Sequence, residues 1–343
     1  MEYKELGRTG LVASELGCGG IPIMRLTQSD ADRVLKRAYD QGITLYDTAH
    51  IYKGSQEKMG RALHRVREHI VLATKTKERG SQGAQEQLEN SLRALQTDVI
   101  DVFQLHQISS EDEWQRVMAP GGAMDALFKA RDKGQIKFLG VTSHSLDMAV
   151  MMTRSDLFDT VQFPYNFIET DAQEVLFPEA KARQLGILAM KPFAGGVIAD
   201  ADLAFTFLRR SPDIFPIPGF DSEAGVDQVV AMYEQDNVVT PEHLSRMDEL
   251  RTELGQRFCR RCEYCLPCPH GVSITVAMVY PLLVSRMSRE TAVTFAQKAM
   301  ETVPGCEECG ECMDKCPYGL PIPEMIRDHY QMYRENLTHL RHG

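Results

Sequence analysis

Two sets of residues in this sequence have the types and spacing to do chemistry. The first is ionisable: Asp47 in LYDTAHIY, Tyr52 five residues later, Lys75 in VLATKTK and His106 in FQLHQI. A free tyrosine, with a pKa of about 10, is a poor acid at neutral pH. A nearby lysine cation lowers that value, and a buried aspartate holds the lysine in place. Tyr52 would then donate a proton to a carbonyl oxygen as hydride reaches the carbon, while His106 orients the carbonyl by hydrogen bonding. The second set is cysteine. Cys18 stands alone; the other eight of the nine lie between Cys259 and Cys316. They form two motifs, Cys259-x2-Cys262-x2-Cys265-x2-Cys268-Pro269 and Cys306-x2-Cys309-x2-Cys312-x3-Cys316-Pro317. In a reducing compartment, clustered thiols read as metal ligands rather than disulfides. Cysteines at x2 spacing followed by Cys-Pro are the spacing of iron–sulfur ligands. Two zinc ions would also be satisfied by eight thiolates. Zinc modules usually pair CxxC with a distant CxxC, however, whereas each motif here carries four consecutive ligands. Cys18 reads as a small buried residue.

A lone strand-end Asp, Lys or His is more often a cap, a surface charge or a satisfied core group. The weight comes from joint placement, and placement depends on the elements. Apolar strand patterns fall at 16–20, 44–47, 70–74, 100–105, 138–142, 160–163, 186–190 and 214–218. Helical patterns fall between them at 29–41, 85–95, 123–133 and 172–184, and a short hairpin, YKEL–GRTG–LVASELG, precedes them all. Eight strands alternating with helices predict a parallel sheet closed into a (β/α)8 barrel. An open doubly wound sheet is the rival, weakened because no GxGxxG lies between a strand and a helix. In a barrel, chemistry sits at the C-terminal strand ends. Asp47, Lys75 and His106 end the second, third and fourth strands. Trp114 falls in a long loop after the fourth strand, where it either packs or lines a pocket; neither it nor His50 is assigned a catalytic role.

After residue 236 the alternation stops. A helix is expected at 240–255, two more at 276–287 and 289–300 between the cysteine motifs, and a polar helix at 323–340. The expected domains are 1–255 and 256–343. Of the 343 residues, 43% are hydrophobic and 25% charged, ordinary for a globular protein, and the net charge of −10 argues against a nucleic-acid partner. The N-terminal MEYKELGRTG lacks an apolar core of signal-peptide type. The longest apolar run, 276–284, contains Pro281 and is too short to span a bilayer. A cytoplasmic protein with no membrane contact is expected.

DTAHIY, the strand-end Lys75 and the Leu-His of FQLHQ resemble the aldo-keto reductases. So do, in order, GVTSHS at 140–145, VQFPYN at 161–166, MKPFAGG at 190–196 and IPGFDS at 217–222. The resemblance covers roughly 3–236 and implies NAD(P)-dependent interconversion of a carbonyl and an alcohol. On that resemblance, Asp47, Tyr52, Lys75 and His106 match the catalytic tetrad, and Ser143, His144 and Gln162 the positions that hold the nicotinamide carboxamide. Gly219 and Ser222 match the loop around the pyrophosphate and adenosine. Two departures stand out. Many relatives place an aromatic residue under the nicotinamide ring, where Met190 sits here. The loop GFDSEAGVDQ carries Asp221, Glu223 and Asp227 but no base for a 2′-phosphate, which tilts the expectation toward NADH.

The cysteine region resembles bacterial-type two-cluster ferredoxins, in a variant with a long helical insert. The resemblance implies two [4Fe–4S] clusters, one held by Cys259, Cys262, Cys265 and Cys316, the other by Cys306, Cys309, Cys312 and Cys268. The x2 spacing before Cys268 departs from the usual x3. The expected function is therefore a two-electron carbonyl oxidoreductase acting on a small molecule, with clusters that are structural or that dock a redox protein partner. The alternatives are an electron-transfer enzyme whose clusters feed the barrel site, and a non-catalytic redox-sensing subunit. Nicotinamide moves hydride and clusters move single electrons, so coupling them needs a switch such as flavin, for which no motif is found.

Overall fold

The structure is a computed structural model and describes residues 1–255 and 257–342. The chain divides into two compact units, Met1–His243 and a second beginning at Leu244. No helix among the described residues is long and apolar enough to cross a membrane.

The first unit opens with an antiparallel hairpin, β1 (Tyr3–Glu5) and β2 (Val12–Ser14). Eight parallel strands follow: β3 (Gly17–Gly19), β4 (Leu45–Asp47), β5 (Val71–Thr76), β6 (Ile100–Leu105), β7 (Ile136–Thr142), β8 (Thr160–Pro164), β9 (Gly186–Met190) and β10 (Ile214–Ile217). They pair in chain order, and the seam closes where the Gly19 amide donates to the Pro218 carbonyl at 2.7 Å beside a Gly19–Gly219 bridge. A Cβ on Gly219 would lie 2.5 Å from Pro22 Cδ, so the seam requires glycine. The result is the expected (β/α)8 barrel. Leu6, from the hairpin turn, joins the same buried cluster as Leu45, Val71, Ala73, Val102, Leu188, Phe215 and Ile217.

That cluster sets the inward phase of each strand. With a side-chain period of two, inward Leu45 puts Asp47 inward on β4. Likewise Val71 and Ala73 put Lys75 inward on β5, and Val102 puts Gln104 inward on β6. The top of the barrel is thereby polar while its floor is apolar. Gly140 on β7 is part of the fit, since a Cβ there would lie 2.3 Å from Thr160 Oγ1 and 2.8 Å from Gln104 Cγ.

The outer helices are α1 (Gln28–Asp40), α2 (Ser55–Leu63), α3 (Ser81–Leu95), α4 (Glu111–Met118), α5 (Ala123–Asp132), α6 (Leu146–Arg154), α7 (Leu176–Ala182), α8 (Ala201–Leu208) and α9 (Glu223–Tyr233). α1 is typical: Thr27 caps it by accepting from the Asp30 amide, and Ala31, Val34, Leu35 and Ala38 bury one face. Two expectations need correcting. Trp114 lies in α4, not in a loop, because Ser110 caps three acidic residues in the first turn; its ring packs 6.1 Å from that of Phe158. α7 is shorter than expected, since Pro178 fits only a first turn.

In the second unit, α10 (Pro241–Gly255) leads into the cysteine motifs. The insert between them folds as α11 (Ile274–Met278), α12 (Tyr280–Arg286) and α13 (Arg289–Met300). The single helix expected at 276–287 is broken at Val279, because Pro281 cannot continue one. A short α14 (Glu311–Asp314) precedes the long α15 (Ile322–His342). That last helix is amphipathic rather than polar: Ile322, Met325, Ile326 and Tyr333 pack into a core with Val272, Ile274, Ala277, Val293 and Met300.

Candidate active site and cysteine cradles

The inward phase brings the tetrad together at the top of the barrel. Lys75 Nζ, 1% exposed, donates to both Asp47 carboxylate oxygens at 2.7 and 2.6 Å and to the Thr48 carbonyl at 2.7 Å. Burial lowers the Lys75 pKa, and the Asp47 charge opposes that shift. Tyr52 follows β4 on a loop pinned by its own amide to the Ala49 carbonyl, 2.9 Å. Its half-buried ring lies 5.5 Å from Lys75 Nζ and meets the His106 ring edge-on, centroids 5.8 Å apart. Burial, then the charges of Lys75, Lys77 and Arg79, hold the His106 pKa well below the usual histidine range. His106 is therefore a neutral imidazole near pH 7, with one donor and one acceptor nitrogen. Its Nδ1 is buried and has no partner among the described residues.

Two contributors escape a reading of the sequence. Gln104, fully buried, donates to Asp47 Oδ1 at 3.1 Å; its signal was its place two residues before His106, on the same strand face. Arg79 donates to the backbone carbonyls of His106 and Gln107 at 3.0 and 2.9 Å and pairs with Glu113 of α4 at 3.1 Å. It fixes the turn in which Gln107 takes a left-handed φ of 58°. Nothing in its sequence neighbourhood announces a contact 27 residues away.

The residues matched to cofactor positions lie at the C-terminal ends of β7 to β10. Gln162 points into the barrel, Nε2 3.4 Å from Asp47 Oδ2, and its buried Oε1 has no partner among the described residues. Ser143 spends its hydroxyl proton on the Ile108 carbonyl at 2.7 Å and accepts from the Ser145 amide, so toward a ligand it can only accept. His144 is half-buried in the same turn, and Ser145, rather than either neighbour, caps α6. Met190 ends β9 half-buried. Gly219 forms the barrel seam, and Ser222 caps α9 through the Gly225 amide at 3.2 Å. The acidic residues after β10 are not free. Arg25 pairs with Asp221, Arg33 with Glu223 at 3.4 Å, and Arg37 with Asp227 at 2.6 Å. Bases absent from the loop itself arrive from α1 and the turn before it, which removes the repulsion on which the expectation of NADH rested.

In the second unit the eight thiols divide into two groups. Cys259, Cys262, Cys265 and Cys316 line one concavity; Cys268, Cys306, Cys309 and Cys312 line the other. These are the sets implied by the ferredoxin resemblance. Burial first, then Cys259 and Cys316, push the Cys262 thiol up to about 11, and burial with Cys259 and Cys262 takes Cys265 to about 12. Burial with Cys306, Cys309 and Cys268 raises Cys312 in the same way. Raised thiol pKa values of this kind are reversed when a multiply charged metal centre binds the thiolate form. Among the described residues no three His, Cys, Asp or Glu groups converge closely enough to hold a single metal ion. Four thiols lining each of two concavities match the four ligands that an iron–sulfur cubane takes. Cys18 is fully buried in β3, and burial, then Asp47, pushes its thiol up to about 12.

Fold and site together define a (β/α)8 barrel with ionisable residues at its top, followed in the chain by a cysteine-rich helical unit. Residues 15–206 match the profile of the aldo/keto reductase family, and the chain belongs to that family. Residues 258–321 match the 4Fe-4S dicluster domain. The aldo-keto reductase YhdN of Bacillus subtilis is 30% identical over 218 residues, which cover 58% of this chain and just under two thirds, 64%, of that protein. Among solved structures, the holo form of aldo-keto reductase AKR11C1 from Bacillus halodurans superposes with a TM-score of 0.63 at 22% identity. The aldo/keto reductase of Klebsiella pneumoniae, solved with NADP and acetate, does so with 0.62 at 23%. Each covers 73% of this chain and 96% of its own, and at that identity the likeness is one of fold.

Proposed function

We propose that this chain is a nicotinamide-dependent oxidoreductase that interconverts a small-molecule carbonyl and its alcohol, and that its second unit carries two [4Fe–4S] clusters. The observation that carries the reading is the buried Lys75–Asp47 pair with the Tyr52 and His106 rings gathered around it. When bound, the nicotinamide supplies or takes the hydride. Asp47, itself held by Gln104, keeps Lys75 in place, and the lysine charge favours the Tyr52 phenolate that proton donation leaves behind. Neutral His106 donates a hydrogen bond to the substrate oxygen and cannot compete with Tyr52 as the acid. The unpartnered Oε1 of Gln162 fits an amide donor such as the carboxamide. Ser143, His144, Met190, Gly219 and Ser222 would line the rest of the dinucleotide's path. Cys259, Cys262, Cys265 and Cys316 would ligate one cluster; Cys268, Cys306, Cys309 and Cys312 the other. The tetrad provides everything a hydride reaction needs from the protein, so hydride transfer leaves the cluster oxidation state unchanged.

The test is a steady-state screen of aldehydes, ketones and alcohols with NADH and NADPH, joined to stopped-flow spectroscopy of one turnover. Turnover with silent cluster absorbance is expected. No turnover across the panel, or cluster reduction in step with NAD(P)H oxidation, would overturn the reading.

A further inference from the structure

The two cysteine loops are built alike and charged oppositely. Cys259-Arg260-Arg261-Cys262-Glu263-Tyr264-Cys265 and Cys306-Glu307-Glu308-Cys309-Gly310-Glu311-Cys312 share one spacing. Their backbones match as well. φ is positive at the residue before the second cysteine, 62° at Arg261 and 55° at Glu308. It is positive again at the residue after it, 67° at Glu263 and 84° at Gly310. Loops of one conformation present their backbone dipoles to a bound cluster in the same way. A difference between the two sites must then come from side chains.

Those side chains differ at equivalent positions. Arg260 and Arg261 line the first cradle together with Glu263, a net charge of +1. Glu307 and Glu308 line the second together with His270, and the two carboxylates contribute a charge of −2. His270 lies 3.5 Å from Glu307, and Arg327 pairs with Glu308. Counting the Arg327 charge still leaves the second cradle negative. The Arg260 guanidinium stacks 3.6 Å over the Tyr318 ring, another lining residue of the first cradle.

Reducing a [4Fe–4S] cluster adds one electron, so nearby positive charge favours the reduced form and negative charge opposes it. We propose that the two clusters form an ordered pair, in which an electron supplied by an external one-electron donor comes to rest on the cluster of Cys259, Cys262, Cys265 and Cys316. The cluster of Cys268, Cys306, Cys309 and Cys312 is the low-potential member. Cys309 is the one exposed ligand of the eight, which places that member nearest to solvent. Water at one ligand works against this order, and the difference in charge, three from the lining and two with Arg327 counted, outweighs it. The inference rests on the reading that both cradles hold clusters.

The experiment is a dithionite titration of the anaerobically purified full-length protein, followed by electron paramagnetic resonance, with iron and sulfide measured on the same sample. The expected result is two one-electron steps separated by more than 59 mV, the equivalent of a tenfold difference in equilibrium constant. Glu307→Gln/Glu308→Gln raises the lower step and leaves the upper in place. Arg260→Gln/Arg261→Gln lowers the upper step, and Arg260→Lys/Arg261→Lys, which keeps the charge, restores it. Full iron and sulfide with coincident steps in the unmodified protein overturns the proposal, as does a glutamine variant of the glutamates that moves the upper step. Stoichiometric zinc without sulfide refutes the cluster reading itself.

Discussion

Replacing Asp47 with asparagine removes one charge and almost no volume. The Lys75 ammonium, 1% exposed, then keeps its hydrogen bond to the Thr48 carbonyl and loses its counter-ion at 2.6 Å. At an effective dielectric of ~20 that attraction is about 6 kcal/mol before desolvation is counted. Breaking a buried pair on one side costs about 3–5 kcal/mol after relaxation. The sign of the pH dependence follows from Lys75. Burial already lowers its pKa from 10.5 and Asp47 holds it up, so losing Asp47 lowers it further. Between the folded and unfolded pKa values the unfolded chain binds the extra proton, and stability rises with pH. Asp47→Asn extends that window toward neutral pH. The deficit against wild type is therefore largest near pH 7 and shrinks as pH approaches 10.5. Urea titrations at both ends of this range, followed by the fluorescence of Trp114, the single tryptophan, report on the barrel. A deficit below about 1 kcal/mol at pH 7, or one that grows with pH, would refute the argument.

Other perturbations separate the roles around this pair. Tyr52→Phe should keep dinucleotide binding, by fluorescence titration, and lose about 10²–10⁴-fold in kcat, the worth of general acid catalysis; more than a tenth of wild-type kcat remaining would remove Tyr52 from the role. Arg79→Gln should lower kcat roughly 10–100-fold, as expected for losing hydrogen bonds from a charged donor worth ~1.5–3 kcal/mol. It should also shift the acid limb of the pH profile toward neutrality, because one of the charges depressing the His106 pKa is gone; an unmoved limb would count against the role given to Arg79. The ion pairs of Arg25, Arg33 and Arg37 leave no unpaired carboxylate to exclude a 2′-phosphate, so NADH and NADPH should bind within about tenfold of each other, ~1.4 kcal/mol. A hundredfold preference for NADH would restore the repulsion argument.

The parts of the fold legible in the sequence are those governed by short-range pattern. Short apolar runs, buried on both faces, mark the barrel strands, and the inward phase of two of them carries Asp47 and Lys75 to the top of the barrel. Helices were harder to read where a cap or a proline outweighed apolar periodicity. Ser110 starts α4 in a stretch with one buried residue, Val117, and Pro281 divides one apolar run into α11 and α12. The apolar face of α15 is diluted by charged residues on its other side, so composition alone made the helix look polar.

What the sequence hid is long-range charge pairing. Asp221, Glu223 and Asp227 read as a bare acidic loop because their arginine partners lie at least 190 residues earlier, on α1 and the turn before it. Arg79 carries no signal in the sequence because its role is played through backbone carbonyls. The cysteine loops show the opposite case. There the ferredoxin resemblance implied both ligand sets, and the two concavities gather the same thiols. Yet the property that distinguishes the two cradles is also local, an Arg-Arg and a Glu-Glu in the same slot of the same motif. It carries meaning only once the backbones are seen to match, because only then is the change of charge set against a shared loop geometry.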